Sequence, residues 1–231
     1  MCYNSIIRGG SVDIFKSKKV FFFKGTRHDC EEEFKKFKEI DKGVVGENYG
    51  VIKLYRSKDV VAFDSKLELR TLLDLDECTR IKEIKTQSLI IPIPTKNKQK
   101  KYMPDIQLLL EDGSIVIIEV KPFKEMVDST VLKKSRKLRK YCDKYKYGHA
   151  IIDRDEKGRY YSFEDLKKEK VNIAIQNKFI EFVKENKKVT FTECKQFKEE
   201  YNINDKQICH IIWEKGEYLK YQHFKIFYKN K

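Results

Sequence analysis

The spacing of apolar positions changes along the chain and predicts most of its elements. A short apolar run at residues 60–63 is followed by leucines at helical spacing up to Leu75, which predicts a strand that leads into a buried helix. Strand-like segments follow at residues 81–84, 89–93, 102–110 and 115–120. A tight turn joins the last two as a hairpin, and the unbroken apolar run of the final strand predicts that both of its faces are covered.

A further helix at residues 127–146 and a buried strand at 149–152 complete the pattern of an α/β protein. We therefore expect a central mixed sheet flanked by helices at residues 56–155, with residues 1–55 as an N-terminal extension that contains a strand and a short helix. A polar stretch at 156–171 predicts a linker. Residues 172–231 then show a helix, two helices around a short turn and a terminal hairpin, an order typical of a winged-helix-like domain.

Charge adds a class of partner to this architecture. The chain has 50 Lys and Arg against 36 Asp and Glu, a formal charge of +14, which suits a polyanion such as DNA, although a lysine-rich surface without that role is the alternative. The six cysteines follow no zinc or disulfide spacing, and no stretch approaches the length of an apolar membrane span. We expect a reduced, cytoplasmic protein that does not enter a membrane.

The candidate chemistry lies in the predicted hairpin. Asp105 lies in its first strand, and Glu119 and Lys121 stand two residues apart at the end of its second strand, so both point to the same face. Two carboxylates beside an amine are a hard-oxygen site for Mg²⁺ next to a cation, the arrangement that phosphodiester hydrolysis requires. An exposed Glu–Lys ion pair is the plainer alternative, but Glu119 follows four apolar residues, where an unpaired charge is unfavourable.

These residues carry a family resemblance. Pro104-Asp105, Glu119-Val120-Lys121 and the order of elements resemble the PD-(D/E)xK nuclease superfamily. Residues 61–68, which end in Glu68, together with Gln87 and the Tyr102-x-Pro-Asp105 stretch, are similar to the TnsA-type endonuclease subunits of transposons. The motifs cover about residues 50–155. One residue departs from the pattern, since the TnsA type usually has Gln where this chain has Glu119.

The resemblance implies a restriction-endonuclease-like core and a metal-dependent DNA endonuclease that cuts at transposon ends. Mg²⁺, for which Mn²⁺ can substitute, would be bound by Glu68, Asp105, Glu119 and the backbone carbonyl of Val120, and Lys121 would act on the attacking water. The implied partners are double-stranded DNA, a DDE transposase and an AAA-type ATPase. A stand-alone phage or defence nuclease, a junction resolvase or RNA nuclease, and a DNA-binding regulator with a non-catalytic scaffold are the alternatives.

Three side-chain assignments stay open on the sequence alone. Ser65-x-x-Glu68 is also a capping-box pattern, in which Glu68 would stabilise a helix start instead of binding a metal. The basic run in the next helix is either a solvated face or a surface that follows the phosphate backbone. In the last domain, Lys206, Gln207 and His210 would face a DNA groove, or else the domain docks a protein. The basic run comprises Lys133, Lys134, Arg136, Lys137, Arg139 and Lys140, continued by Lys144 and Lys146.

Overall fold

The computed structural model describes residues 14–15, 19–20, 22, 25–37, 49–94 and 99–229. The chain divides into two compact units, Met1–Val120 with Lys137–Tyr161, and Lys121–Arg136 with Ser162–Lys231. Each unit is described by itself below. Among the described residues, no helix is both long enough and apolar enough to cross a membrane.

The first unit is built on a five-stranded mixed sheet with the strand order β3-β6-β7-β8-β9. Strands β3, β6 and β7 pair antiparallel, and β7 pairs parallel with β8, so the sheet is mixed, as predicted. Two smaller ladders, β1 with β2 and β4 with β5, accompany it. The elements are α1 (Glu31–Lys35), β1 (Gly50–Lys53), β2 (Val60–Phe63), α2 (Lys66–Asp76), β3 (Ile81–Thr86), β4 (Ile91–Pro94), β5 (Gln99–Tyr102), β6 (Ile106–Leu110), β7 (Ile115–Val120), α3 (Ser129–Tyr145), β8 (Gly148–Arg154) and β9 (Tyr160–Ser162).

Two separate apolar clusters cover the two faces of the sheet. Alternate residues of β7 contribute to each, because successive side chains of a strand point to opposite faces. Val116, Ile118 and Val120 join the cluster that contains the leucines of α2. Ile115 and Ile117 join the cluster that contains Leu138 and Cys142 of α3. The apolar run of β7 is therefore buried on both sides, as its composition predicted.

Two segments differ from the sequence-based expectation. The strand predicted at residues 102–110 was wrong as a single element, since β5 ends at Tyr102 and β6 begins at Ile106. Pro104 interrupts the ladder because proline has no backbone N–H to donate. The segment predicted as a polar linker, 156–171, contains β9 and the helix α4 (Phe163–Lys168). Ser162 and Asp165 form a capping box at the start of α4, a signal that the polar composition concealed.

The N-terminal expectations are only partly described. The short helix predicted at residues 31–40 is present as α1, and residues 38–40 lie outside the described residues. The strand predicted at residues 20–23 falls on a segment of which only residues 20 and 22 are described, neither of them in a strand.

The second unit contains the predicted order of helix, two helices and hairpin. A 3₁₀ helix (Glu125–Val127) and α4 precede α5 (Ile173–Asn186), β10 (Lys188–Val189), α6 (Lys195–Glu200), α7 (Asp205–Glu214), β11 (Leu219–Gln222) and β12 (Lys225–Tyr228). The three strands form an antiparallel sheet with the order β10-β12-β11. Asn204 begins α7 with a side-chain cap completed by Gln207. Residues 129–136 of α3 are counted with this unit.

Candidate active site

The hairpin places Asp105 and Glu119 beside the last residue pair of its ladder. That pair is Ile106 with Ile118, and Asp105 directly precedes Ile106 while Glu119 directly follows Ile118. Asp105 stands just before β6, and its carboxylate Oδ2 accepts a hydrogen bond of 2.7 Å from the backbone N–H of Val120. This bond fixes the Asp105 side chain against the end of β7, where Glu119 lies.

Glu119 is a buried carboxylate with 2% of its surface exposed. By strand alternation it lies on the same face as Ile115 and Ile117, the face covered by α3. The hydroxyl of Tyr102 donates a hydrogen bond of 2.8 Å to Glu119 Oε2. Burial and the nearby Glu119 carboxylate raise the pKa of Tyr102 well above its ordinary value, so the hydroxyl keeps its proton and remains a donor.

The turn before Asp105 is held by a buried amide. Gln107, fully buried, donates from Nε2 to the carbonyl of Pro104 at 2.8 Å. Its Oε1 accepts from both the backbone N–H and the hydroxyl of Ser88, at 3.0 and 2.7 Å. Each polar group of this amide therefore has a partner, and the backbone that leads into Asp105 is fixed on both sides.

Glu68 lies at the start of α2 and takes part in the helix cap. The Ser65 hydroxyl accepts from the Glu68 backbone N–H at 3.1 Å. In return, Glu68 Oε1 accepts from the Ser65 hydroxyl at 3.1 Å and Oε2 accepts from the backbone N–H of Asp64 at 2.8 Å. Both carboxylate oxygens thus serve the cap, the alternative that the sequence had left open, and the metal role of Glu68 stays a prediction.

Gln87 connects the helix start to the hairpin. Its Nε2 donates to Asp64 Oδ2 at 2.9 Å, and its backbone N–H donates to the carbonyl of Asp105 at 3.0 Å. Because Asp64 also donates to Glu68, a continuous series of hydrogen bonds links Glu68 to Asp105. This series joins Glu68 to the Asp105 backbone, whereas Glu119 lies on the opposite face of the sheet from α2.

The grouping is a pair of carboxylates rather than a triad. Among the described residues, no three His, Cys, Asp or Glu side chains are gathered as a set that could hold a metal ion. Mg²⁺ does not require three, because it retains several waters and is bound in proteins by one or two carboxylates together with substrate phosphates. Asp105 and Glu119, with backbone and amide oxygens close by, fit that donor set. Lys121 follows Val120 directly, one residue beyond the end of β7.

Helix α3 presents its basic residues to solvent. Leu138 and Cys142 are its buried positions, and the opposite face carries charge at helical spacing. Within the described part of the chain these side chains form no ion pair, so their charge is uncompensated. The residues are Lys133, Arg136, Lys140 and Lys144, all exposed, and the half-buried Lys137. Of the other predicted residues, Arg139 is exposed and Lys134 is half-buried toward the apolar side.

The residues of α7 that were predicted to face a DNA groove make contacts within the second unit. His210 is buried, and its Nδ1 lies 3.0 Å from the carbonyl of Leu166 in α4. Gln207 accepts from the Asn204 backbone through Oε1 and donates from Nε2 to the carbonyl of Lys170. Lys206 is half-buried at the start of the helix. His210 is therefore not available on the surface, whereas Gln207 is half-buried at the start of the helix.

Two residues with roles in this region were not predicted from the sequence. The hydrogen bond from Tyr102 to Glu119 joins residues 17 positions apart, and the sequence offered only the Tyr-x-Pro-Asp stretch as a similarity. Gln87 was noted in the same way, without a role. The sequence feature that could have indicated it is a polar residue directly after a predicted strand. In the structure that residue is buried, with 4% of its surface exposed.

Comparison of the chain with models of known protein families and with curated proteins gives no match. Its function is therefore inferred from the residues themselves.

Proposed function

We propose that this chain is a Mg²⁺-dependent DNA endonuclease whose metal site is formed by Asp105 and Glu119. The observation that supports it is their placement beside the last residue pair of a buried hairpin, where the Val120 backbone N–H donates to the Asp105 carboxylate. Burial of an ionised carboxylate is costly, and a buried carboxylate close to a second one is a candidate functional group.

Each residue has a distinct task in this proposal. Asp105 and Glu119 bind Mg²⁺ or Mn²⁺, and the carbonyl of Val120 adds an oxygen. Tyr102 donates to Glu119 and keeps its carboxylate in one orientation. The metal, when bound, polarises the scissile phosphate and lowers the pKa of the attacking water. Lys121 orients that water or stabilises the negative charge that develops on the phosphate. Glu68 stabilises the start of α2 through its cap.

DNA is the substrate that the charge distribution favours. The uncompensated basic face of α3 follows the site in sequence and suits the regular charge spacing of a phosphate backbone. We assign DNA contact to α3 in preference to α7, because α4 covers α7 and engages His210. The order of elements in the second unit is that of a winged helix. Because α7, the second helix of the helix-turn-helix, contacts α4 through His210, this unit acts as a docking module for protein.

The enzyme works as a subunit of the TnsA type, beside a DDE transposase and an AAA-type ATPase. The resemblance of residues 61–68, Gln87 and the Tyr102–Asp105 stretch supports this. Burial of His210 also supports it, because it removes one of the residues that were predicted to face a DNA groove and so leaves more of the target choice to a partner. The competing candidate is a stand-alone phage or defence nuclease. If the chain is a stand-alone nuclease, the purified protein should cut plain duplex DNA efficiently. If it is a subunit, it should cut plain duplex weakly until the products of neighbouring genes are added.

Cleavage of supercoiled plasmid, branched DNA and RNA by the full-length protein tests the activity. Cleavage of DNA should require Mg²⁺ or Mn²⁺, stop with a chelator, and be lost in Lys121→Ala with the fold retained by circular dichroism. A preference for RNA or for branched substrates would move the assignment to an RNA nuclease or a junction resolvase. Full activity of Lys121→Ala, or cleavage that ignores the chelator, would contradict the proposed chemistry.

A further inference from the structure

Gln87 has an unusual combination of burial, backbone conformation and hydrogen bonding. It is 4% exposed and adopts a φ of +48°, in the left-handed region that costs energy for any residue with a side chain other than Asn or Asp. Strained backbone of this kind persists where the surroundings fix it, and it concentrates at functional sites. Here the hydrogen bond from the Gln87 backbone N–H to the carbonyl of Asp105 holds the left-handed conformation.

The side-chain amide of Gln87 is only half satisfied. Its Nε2 donates to Asp64 Oδ2, which also sets the orientation of the amide, since an amide oxygen facing that carboxylate would be repelled. The Oε1 atom is buried, and no group in the described part of the chain donates to it. A buried acceptor without a donor is rare in folded proteins, because it loses its hydration without compensation.

An unpaired amide oxygen is not a site by itself, and the chain offers a comparison. Gln176 in α5 is also buried, donates from Nε2 to the carbonyl of Val171, and has an Oε1 without a donor in the described residues. Gln176 has an ordinary helical backbone and no acidic neighbour in its hydrogen bonds. Gln87 instead donates from its side chain to the Asp64 carboxylate and from its backbone N–H to the backbone carbonyl of Asp105, one of the proposed metal ligands.

We propose that Gln87 Oε1 is a neutral oxygen donor to the hydrated divalent cation of this site. The inference rests on the proposed function and adds a ligand to it. A carbonyl-type oxygen is a donor that Mg²⁺ and Mn²⁺ accept, and it adds no negative charge beside Asp105 and Glu119. The cation, or a water bound to it, would supply the partner that Oε1 lacks among the described residues. The amide of Gln87 donates to Asp64, just before α2, and the backbone N–H of the same residue donates to the carbonyl of Asp105.

Binding of Mn²⁺ to the full-length protein without DNA tests the inference by a readout other than activity. Titration followed by paramagnetic resonance gives the dissociation constant for each variant. Gln87→Met keeps the length and removes the oxygen, and it should raise the dissociation constant about 10- to 100-fold, as removal of the groups around a metal does. Gln87→Asn tolerates the left-handed backbone and withdraws the oxygen, so it should weaken binding while keeping the thermal midpoint.

Two controls separate the outcomes. Gln176→Met removes the equivalent amide away from the carboxylates and should leave Mn²⁺ affinity unchanged. Asp105→Asn removes a proposed ligand and should abolish tight binding. If Asp105→Asn loses Mn²⁺ while Gln87→Met and Gln87→Asn bind it as the wild type does, the role of Gln87 is wrong and the proposed function stands. If the wild type binds Mn²⁺ no better than Asp105→Asn, both proposals fail.

Discussion

At the scale of single residues, the central feature is that three carboxylates have different hydrogen-bonding environments. Glu119 is buried and bonded to a tyrosine, Asp105 is fixed by a backbone N–H, and Glu68 has both oxygens in a helix cap. Binding of a cation by the first two is a proposal. The third accepts hydrogen bonds from its own helix start, and its metal role stays a prediction.

Glu68 and Ser65 can be tested together. Ser65→Ala and Glu68→Ala should each lower the free energy of unfolding by about 1 kcal/mol, the usual effect of removing an N-terminal cap. Glu68→Gln keeps one oxygen acceptor and should retain most of the stability and most of the DNA cleavage. Chemical denaturation and plasmid cleavage on the same preparations measure both quantities. Loss of cleavage in Glu68→Gln at unchanged stability would return Glu68 to the metal site.

The limits of prediction from sequence are visible at this scale. Asp105, Glu119 and Lys121 could be proposed as site residues from the sequence, because hairpin register and strand alternation follow from local pattern, and their roles stay predictions. Tyr102 and Gln87 were not assigned roles, because their hydrogen bonds join segments that only the folded sheet brings together. The two alternatives for Glu68 were both visible in Ser65-x-x-Glu68, but only the folded structure shows which oxygens accept from which donors.

At the scale of elements, most strands and helices followed from periodicity, and the failures have specific causes. A continuous apolar pattern through 102–110 concealed the interruption at Pro104, where the ladder has no donor. The polar composition of 156–171 concealed β9, whose Tyr160 and Tyr161 are buried, and the capping box that begins α4. In both cases one or two residues determined the local structure, although the average composition of the segment indicated a different one.

Helix α3 carries the prediction that belongs to this scale. Reversing Lys133, Lys137 and Lys140 to Glu together should weaken DNA binding and reduce the slope of log affinity against log salt by up to about 0.9 for each phosphate that is no longer neutralised. The same reversal at Lys157, Lys168 and Lys170, which are also exposed, is the matched control and should change the slope little. Equal effects of the two triple variants would show that α3 contributes only general charge.

At the scale of the whole molecule, four of the described tyrosines in the first unit have a pKa that is raised mainly by burial. They are Tyr102, Tyr141, Tyr147 and Tyr160, and for Tyr141 the pKa reaches about 12. The unfolded chain releases these protons near pH 10, before the folded chain does. Their contribution to stability is therefore complete below pH 10 and is lost as the pH rises toward and beyond 12.

Thermal unfolding as a function of pH measures this effect. The midpoint of the first unit should be flat through neutral pH and fall steeply above about pH 10, with tyrosinate absorbance appearing together with unfolding. Tyr147→Phe removes one titrating group and its bond to Glu33, so the neutral midpoint should drop while the alkaline decline becomes shallower. A midpoint that stays constant well above pH 10, or tyrosinate that appears before unfolding, would show that these hydroxyls are accessible in the folded protein.

A double-variant measurement of DNA cleavage tests most directly whether Asp105 and Glu119 act as one metal site. Residues that act as a unit give grossly non-additive losses of activity when removed. We predict that Asp105→Asn, Glu119→Gln and the double variant all lose metal-dependent cleavage to the same residual level, while Glu111→Gln in the neighbouring turn cleaves as the wild type does. Independent losses that multiply in the double variant, or cleavage that survives in either single variant, would contradict the shared site.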